Sequence, residues 1–376
     1  MSGSSLREIE IFYFEISRLI RVDEMTNEQQ GATMTSMERV LTTLGHQEPD
    51  RVPFFLLLTM HGARELGLSI QEYFSKAEYV VEGQLRMRRK YGHDCLNPFC
   101  YAAMETEAFG GEVIWFEDGP PNSGEPIIQT EKDILSLQIP EIHSSPCLVR
   151  MLNIIQSLKE KTGDEAPVIG TVVSPFSLPV MQMGFPAYIE LMYEQPELFQ
   201  RLMEVNQEFC VAWANAQVRA GATAICYFDP LTSPTITAPG VHLEKGFAIV
   251  RQTLARIESP TAIHLASGHT LSVIDDIAAT GTAAVGVSVG EDLAELKAVC
   301  RGRLTILGNL NGIEMRGWTP EQAEKKVREA VRKAGAGGGF ILADNHGEIP
   351  WQVSEEVLSA ISEAVQTWGR YPLRDL

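Results

Sequence analysis

The side chains that could do chemistry stand at the ends of short apolar runs. Thr59-Met60-His61 follows the run from Val52 to Leu58, Asp229 follows Ala224 to Phe228, and His264 follows Thr261 to Ile263. Ser288 comes after Ala284 to Val287, Asn309 after Leu304 to Gly308, and "DNHGE", from Asp344 to Glu348, after Phe340 to Ala343. Imidazole, carboxyl, amide and hydroxyl groups gathered in this way can hold a polar substrate, bind a metal or move a proton. His264 and His346 could each offer a neutral imidazole nitrogen to zinc, with Asp229 or Glu348 as the oxygen ligand or as the group that orients an imidazole. The other use of the same pair is proton transfer without a metal. Met181 and Met183, in "PVMQMGFPAYIELMY", would suit a flat apolar ligand if they lie near a strand end, or would serve as core or pocket wall.

These groups converge only if their strands run side by side and in the same direction. Apolar runs at Val52–Leu58, Cys95–Phe99, Val168–Val173, Ala224–Phe228, Thr261–His264, Ala284–Val287, Leu304–Leu307 and Phe340–Ala343 alternate with amphipathic segments of helical period. "TPEQAEKKVREAVRKAGAGGG" shows the helical punctuation: Thr319 as cap, Pro320 at the first position, and a glycine stop. Strand, helix, strand repetition predicts parallel strands. Eight continuous apolar strands favour an α/β fold of the (βα)8 TIM-barrel type, in which the connections after the strands share one face. A G-x-G-x-x-G turn after the first strand, which a dinucleotide-binding sheet would carry, is missing. "EAFGGEVIWFEDGPPNSGEPIIQT" interrupts the rhythm and predicts a hairpin insertion at one end of the barrel. Residues 1–33 predict an acidic amphipathic helix and a polar linker, either an appendage or a homodimer contact, ahead of a barrel over 34–376.

Composition narrows the partners. Lys and Arg number 31 against 49 Asp and Glu, a formal charge of -18 that repels nucleic acid and anionic membrane surfaces. No uncharged apolar stretch is long enough to cross a bilayer, and the N-terminal apolar segment carries acidic residues, unlike a signal peptide, so a cytoplasmic protein is expected. Six scattered cysteines without a C-x-x-C pair are expected to be reduced and buried.

In order along the chain, "RVPFF", "GTVVSPFSLPVMQMG", "YFDPLTSP" after "RAGATAI", "IHLASGH", "ILGNLNG" and "ILADNHGEIP" resemble the uroporphyrinogen decarboxylase superfamily over about residues 35 to 370. That resemblance implies a (βα)8 barrel and one of two activities, cofactor-free decarboxylation in the haem pathway or cobamide-dependent methyl transfer. The decarboxylases carry an arginine-rich segment after the first strand and an aspartate after the next. Here "TMHGAREL" keeps only Arg64 of the first, and Tyr101 stands near the place of the second. His346 matches the histidine of the decarboxylase G-H-G motif. The coenzyme M methyltransferases carry H-x-C and a later cysteine as zinc ligands; His264 matches the histidine, while Ala266 and His346 stand where the cysteines would be.

The resemblance therefore implies a cobamide-dependent methyltransferase. It would move a methyl group between a corrinoid, on a partner protein or as free cobalamin, and a small donor or acceptor such as an aryl methyl ether, tetrahydrofolate or a thiol. Expected catalytic residues are His346, Asp229, His264 and Asn309. Expected substrate contacts are His61, Tyr101, Tyr227, Met181, Met183, Ser288 and Asp344, and a zinc ion would take His264, His346 and Glu348. The alternatives are a decarboxylase and a catalytically silent barrel that binds a corrinoid protein.

Overall fold

The computed structural model describes residues 33–238 and 240–374. Contacts divide the chain into Met1–Met34 and a compact unit from Thr35 to Leu376. The predicted N-terminal helix falls outside the described residues. The predicted insertion is present as an antiparallel hairpin, β1 (Val113–Ile114) with β2 (Asn122–Ser123), turned by Gly119, Pro120 and Pro121.

Six parallel strands follow: β3 (Ile169–Val173), β4 (Ala224–Phe228), β5 (Thr261–His264), β6 (Ala284–Gly286), β7 (Thr305–Leu310) and β8 (Phe340–Asp344), each bonded to the next in chain order. Two extended segments close the ring. Phe54 bridges Leu342, Leu96 bridges Val168, and the Asp94 N–H donates to the Phe54 carbonyl at 2.8 Å. The sheet is thus the expected eight-membered barrel. Its first two members pair at single bridges, and Pro53 and Pro98, within or beside them, each lack a backbone donor.

Strand parity sorts the side chains. Phe55, Leu57, Cys95, Leu307, Ile341 and Ala343 point into the barrel and pack with Val40 of the helix Ser36–Leu44, which covers the end where the strands begin. Phe54, Leu56, Leu58, Ile225, Tyr227, Ile263, Val285, Ile306 and Leu342 point outward into the main core, against the helices. At the covered end, the buried Asp94 accepts from Arg39 at 2.7 Å, Arg51 at 2.6 Å, Ser36 at 2.9 Å and the Phe54 N–H at 3.0 Å. This carboxylate ties the closing helix to the first two strands, leaving the opposite face to carry chemistry.

Helix termini follow the sequence signals. Thr319 and Gln322 exchange side-chain to backbone bonds in a capping box at the start of Pro320–Ala334, so two otherwise unpaired N–H groups are satisfied. All six cysteines are buried and free. Among the described residues no helix is long and apolar enough to cross a membrane.

Candidate active site

His264 ends β5 with its ring directed inward, in parity with Ala262, which lines the lumen. It packs against the Phe228 ring, centroids 4.7 Å apart. Its register partner on β6 is Gly286, where an added Cβ would lie 2.7 Å from His264 Cγ and 2.8 Å from Nε2. The glycine makes room for the imidazole. Ala266, in the left-handed region at φ 50, turns its N–H onto His264 Nδ1 at 3.0 Å. Nδ1 is therefore an acceptor, and the proton of the neutral ring is assigned to Nε2, which is buried without a protein partner. Burial, and the nearby His346, hold this imidazole down at about 4, so it is neutral at pH 7.

After β8 the chain makes a tight turn around Asp344, whose Oδ2 accepts the N–H groups of His346 and Gly347 at 2.8 Å each. The turn delivers His346, half-buried with an unpartnered Nδ1, toward His264. Gly347 lies at φ 87 directly against the Phe228 ring, a position with no space for a side chain. Asp344 Oδ1 is buried and unpartnered, and Glu348 accepts a hydrogen bond from the Thr59 hydroxyl. Burial raises Asp344 to about 6 and Glu348 to about 7, and the Asp344 charge adds to the rise at Glu348. Near neutral pH Glu348 keeps part of the proton that an exposed carboxyl would have lost, beside an Asp344 that is mostly ionised.

Across the first strand, His61 is buried with neither ring nitrogen bonded, its ring 5.8 Å from Trp351. Burial, then the Arg64 charge, keeps it neutral, down at about 3. Arg64 itself stacks on Trp351 at 4.0 Å and donates to the Trp351 and Val353 carbonyls. Two residues absent from the expected set belong here. Thr59 holds Glu348, and Asn345 is buried with no bond at either side-chain polar atom. Both lay in stretches already marked as strand ends.

Other expected residues have different work. Asp229 is buried and accepts from Ser174 at 2.6 Å, Ser177 at 2.7 Å and Thr232 at 2.5 Å. It pins the connections after β3 and β4 to each other, and burial raises its carboxyl above the ordinary range. Tyr227 faces away from the mouth, because its neighbours Cys226 and Phe228 take the inward positions and strand parity sends it to the helix side. Tyr101 is packed between Phe74 and Trp115 and donates to Glu107 at 2.6 Å. Asn309 donates to the Ser288 carbonyl at 3.0 Å, and the Ser288 hydroxyl to the Ser267 carbonyl at 3.0 Å, so both brace loops. Met181 packs on the main core, and Met183 lines an outer groove with Ile128 and Glu190.

The expected zinc set is not assembled. Among the described residues no three His, Cys, Asp or Glu side chains converge as a ligand group. For His264 to ligate through Nε2, its proton would have to move to Nδ1, where the Ala266 N–H already points. The residues present do not fit a resident zinc ion.

The uroporphyrinogen decarboxylase (URO-D) family pattern matches residues 35–368. The chain belongs to this family. URO-D family relatives with both activities are similar to it. The uroporphyrinogen decarboxylase of Cellvibrio japonicus is 25% identical over 89% of this chain and 97% of its own length. The methylcobamide:CoM methyltransferase of Methanosarcina barkeri is 26% identical over 87% of this chain and 97% of its own. A solved methyltransferase structure from Methanosarcina mazei superposes with a TM-score of 0.79 at 20% identity, covering 89% of this chain and 99% of that one, which establishes the shared fold.

Proposed function

We propose that this URO-D family member is a cobamide-dependent methyltransferase, moving a methyl group between a corrinoid carried by a partner protein and a small donor or acceptor. The charge of the mouth carries this reading. The connections after β3, β5, β6 and β8 contain no Lys or Arg. On the others, Arg64, Lys245 and Arg316 donate to the backbone carbonyls of Trp351 and Val353, Met192 and Ile313, and Lys132 is exposed on the short helix Glu131–Ser136. A tetrapyrrole rich in carboxylates would enter this mouth largely unpaired, at a cost of several kcal/mol for each buried charge.

The mouth offers neutral donors instead. A cobamide supplies a cobalt centre that takes or gives the methyl group. Exposed Ile236, Leu243, Val289 and Ile313, on the connections after β4, β6 and β7, provide an apolar rim suited to a flat macrocycle. Below it, the Glu348 carboxylic acid gives its proton to the oxygen or nitrogen that loses the methyl group; burial, with the Asp344 charge adding to it, raises that acid to about 7. His264 Nε2–H, with no protein partner, donates to the same atom. Asp229 acts at one remove by fixing the loops.

The test is the visible spectrum of cob(I)alamin and methylcobalamin incubated with the protein and, in turn, aryl methyl ethers, tetrahydrofolate and thiols. A donor-dependent change of the corrinoid spectrum is expected. No change with any of them would refute the assignment, and formation of coproporphyrinogen from uroporphyrinogen would establish the decarboxylase activity that the Cellvibrio relative's name states.

A further inference from the structure

The lumen beneath His264 is hollow on one side. A single register row runs through Thr171, Cys226, Ala262, Ala284 and Thr305 on β3 to β7. All five are small, at a level where barrels of this type carry layers of bulky branched side chains. The facing wall, with Phe55, Leu57, Phe99, Leu307 and Ile341, does not reach across. What remains is a cavity of about 100 Å³, between the helix Ser36–Leu44 and the ring of Phe228. Phe228 is its roof, and the same ring packs on His264.

The chemistry of the lining selects the occupant. None of the residues lining it is charged. Asn97 and Thr171 are among the polar side chains left with bonding capacity. Asn97 Oδ1 accepts the Phe99 N–H at 3.2 Å, and its amide hydrogens have no acceptor among the described residues. Thr171 is fixed through its backbone, its N–H to Gln217 Oε1 and its carbonyl from Gln217 Nε2, both at 2.9 Å, while its hydroxyl makes no bond among the described residues. An apolar body with one oxygen matches this pattern, whereas a sulfonate or carboxylate would be buried without a counter-charge.

We infer that the lumen is a binding cavity for a neutral aromatic molecule bearing a single ether or hydroxyl oxygen. The cavity stands on its own geometry, and the Phe228 ring stands between it and His264, so its occupant is distinct from the atom that Glu348 and His264 address in the methyltransferase reading.

The experiment titrates phenol, anisole, toluene and benzenesulfonate into the full-length protein by calorimetry, with thermal melting in parallel. Phenol, anisole and toluene are expected to bind saturably and raise Tm, and benzenesulfonate to do neither. Ala262→Leu, which fills the middle of the row, is expected to weaken all three by at least about tenfold without lowering Tm. Thr171→Val keeps the shape and removes the hydroxyl; phenol affinity should fall about tenfold while toluene is unchanged. Should the leucine variant fail to fold, Ala284→Val takes its place. No saturable binding to the wild-type protein, or wild-type affinity in the filled variant, overturns the inference. Binding without any methyl transfer leaves the cavity standing and removes the activity; methyl transfer without saturable binding of toluene does the reverse.

Discussion

Glu348 gives the sharpest test of the proton source. Its side chain is half-buried and takes the Thr59 hydroxyl as donor. Burial is the main cause of its rise from 4.5 to about 7; the Thr59 bond opposes the rise and the Asp344 charge adds to it. A folded-state value above the unfolded one means the folded protein holds more protons than the unfolded chain between those two pH values. The stabilisation from this group is therefore fully present below about pH 4.5 and is lost as pH rises through about 7. A shift from 4.5 to about 7 corresponds to about 3.4 kcal/mol at full effect, of which about 2.5 falls between pH 5 and pH 8. Partial exposure screens that to about 1 to 2 kcal/mol. Urea unfolding at pH 5 and pH 8 should show the wild-type protein losing about that much more stability than Glu348→Gln, with groups common to both proteins cancelling. In parallel, methyl transfer by the wild type should fall as pH rises above about 7, and the glutamine variant should be about a hundredfold slower with that limb gone. Identical pH dependence of stability in the two proteins would show that Glu348 is an ordinary carboxylate and remove it as the acid.

Two further substitutions test the scaffold around it. Gly286→Ala drives a methyl group toward His264 Cγ and Nε2, so the imidazole must move; about 1 to 3 kcal/mol of stability and about a hundredfold in methyl-transfer rate should be lost, and an unchanged rate would separate His264 from the chemistry. Asp94→Asn leaves the buried Arg39 and Arg51 facing an amide at the covered end; unfolding should cost about 3 to 5 kcal/mol less while the rate per folded molecule stays the same, and a loss below about 1 kcal/mol would contradict the network described.

The extent to which the sequence exposed the fold follows from how local each signal is. The bounds of β4 and β5 coincide with their apolar runs, and the Thr319 cap and the Gly119-Pro120-Pro121 turn stand where their residue types demand, because run length, capping and turn chemistry depend on a few neighbouring residues. The first two strands are also visible as apolar runs, although their pairing is reduced to single bridges. That chemistry gathers at the strand ends, with His264 and His346 among it, follows from the barrel alone.

Which of those groups are free to act is a tertiary matter. Asp229 reads as an available carboxylate until Ser174 and Ser177, more than 50 positions earlier, fold against it and occupy Oδ1. Tyr227 reads as a mouth residue because a strand buried on both faces is apolar throughout and hides which parity points inward. Asn345 and Thr59 sat in plain view without a cue to their roles, since an unmet hydrogen bond or a partner almost 300 residues away has no local signature. The zinc expectation failed to gather for the same reason, with Ala266 already directing its N–H to the His264 nitrogen. The sequence by itself determined the alternation of strands and helices, the kinds of side chain at each strand end and the acidic character of the chain. Only the tertiary structure decided the alignment of Thr171, Cys226, Ala262, Ala284 and Thr305 in one row, because register between strands is set by packing across the whole barrel and by no single segment of it.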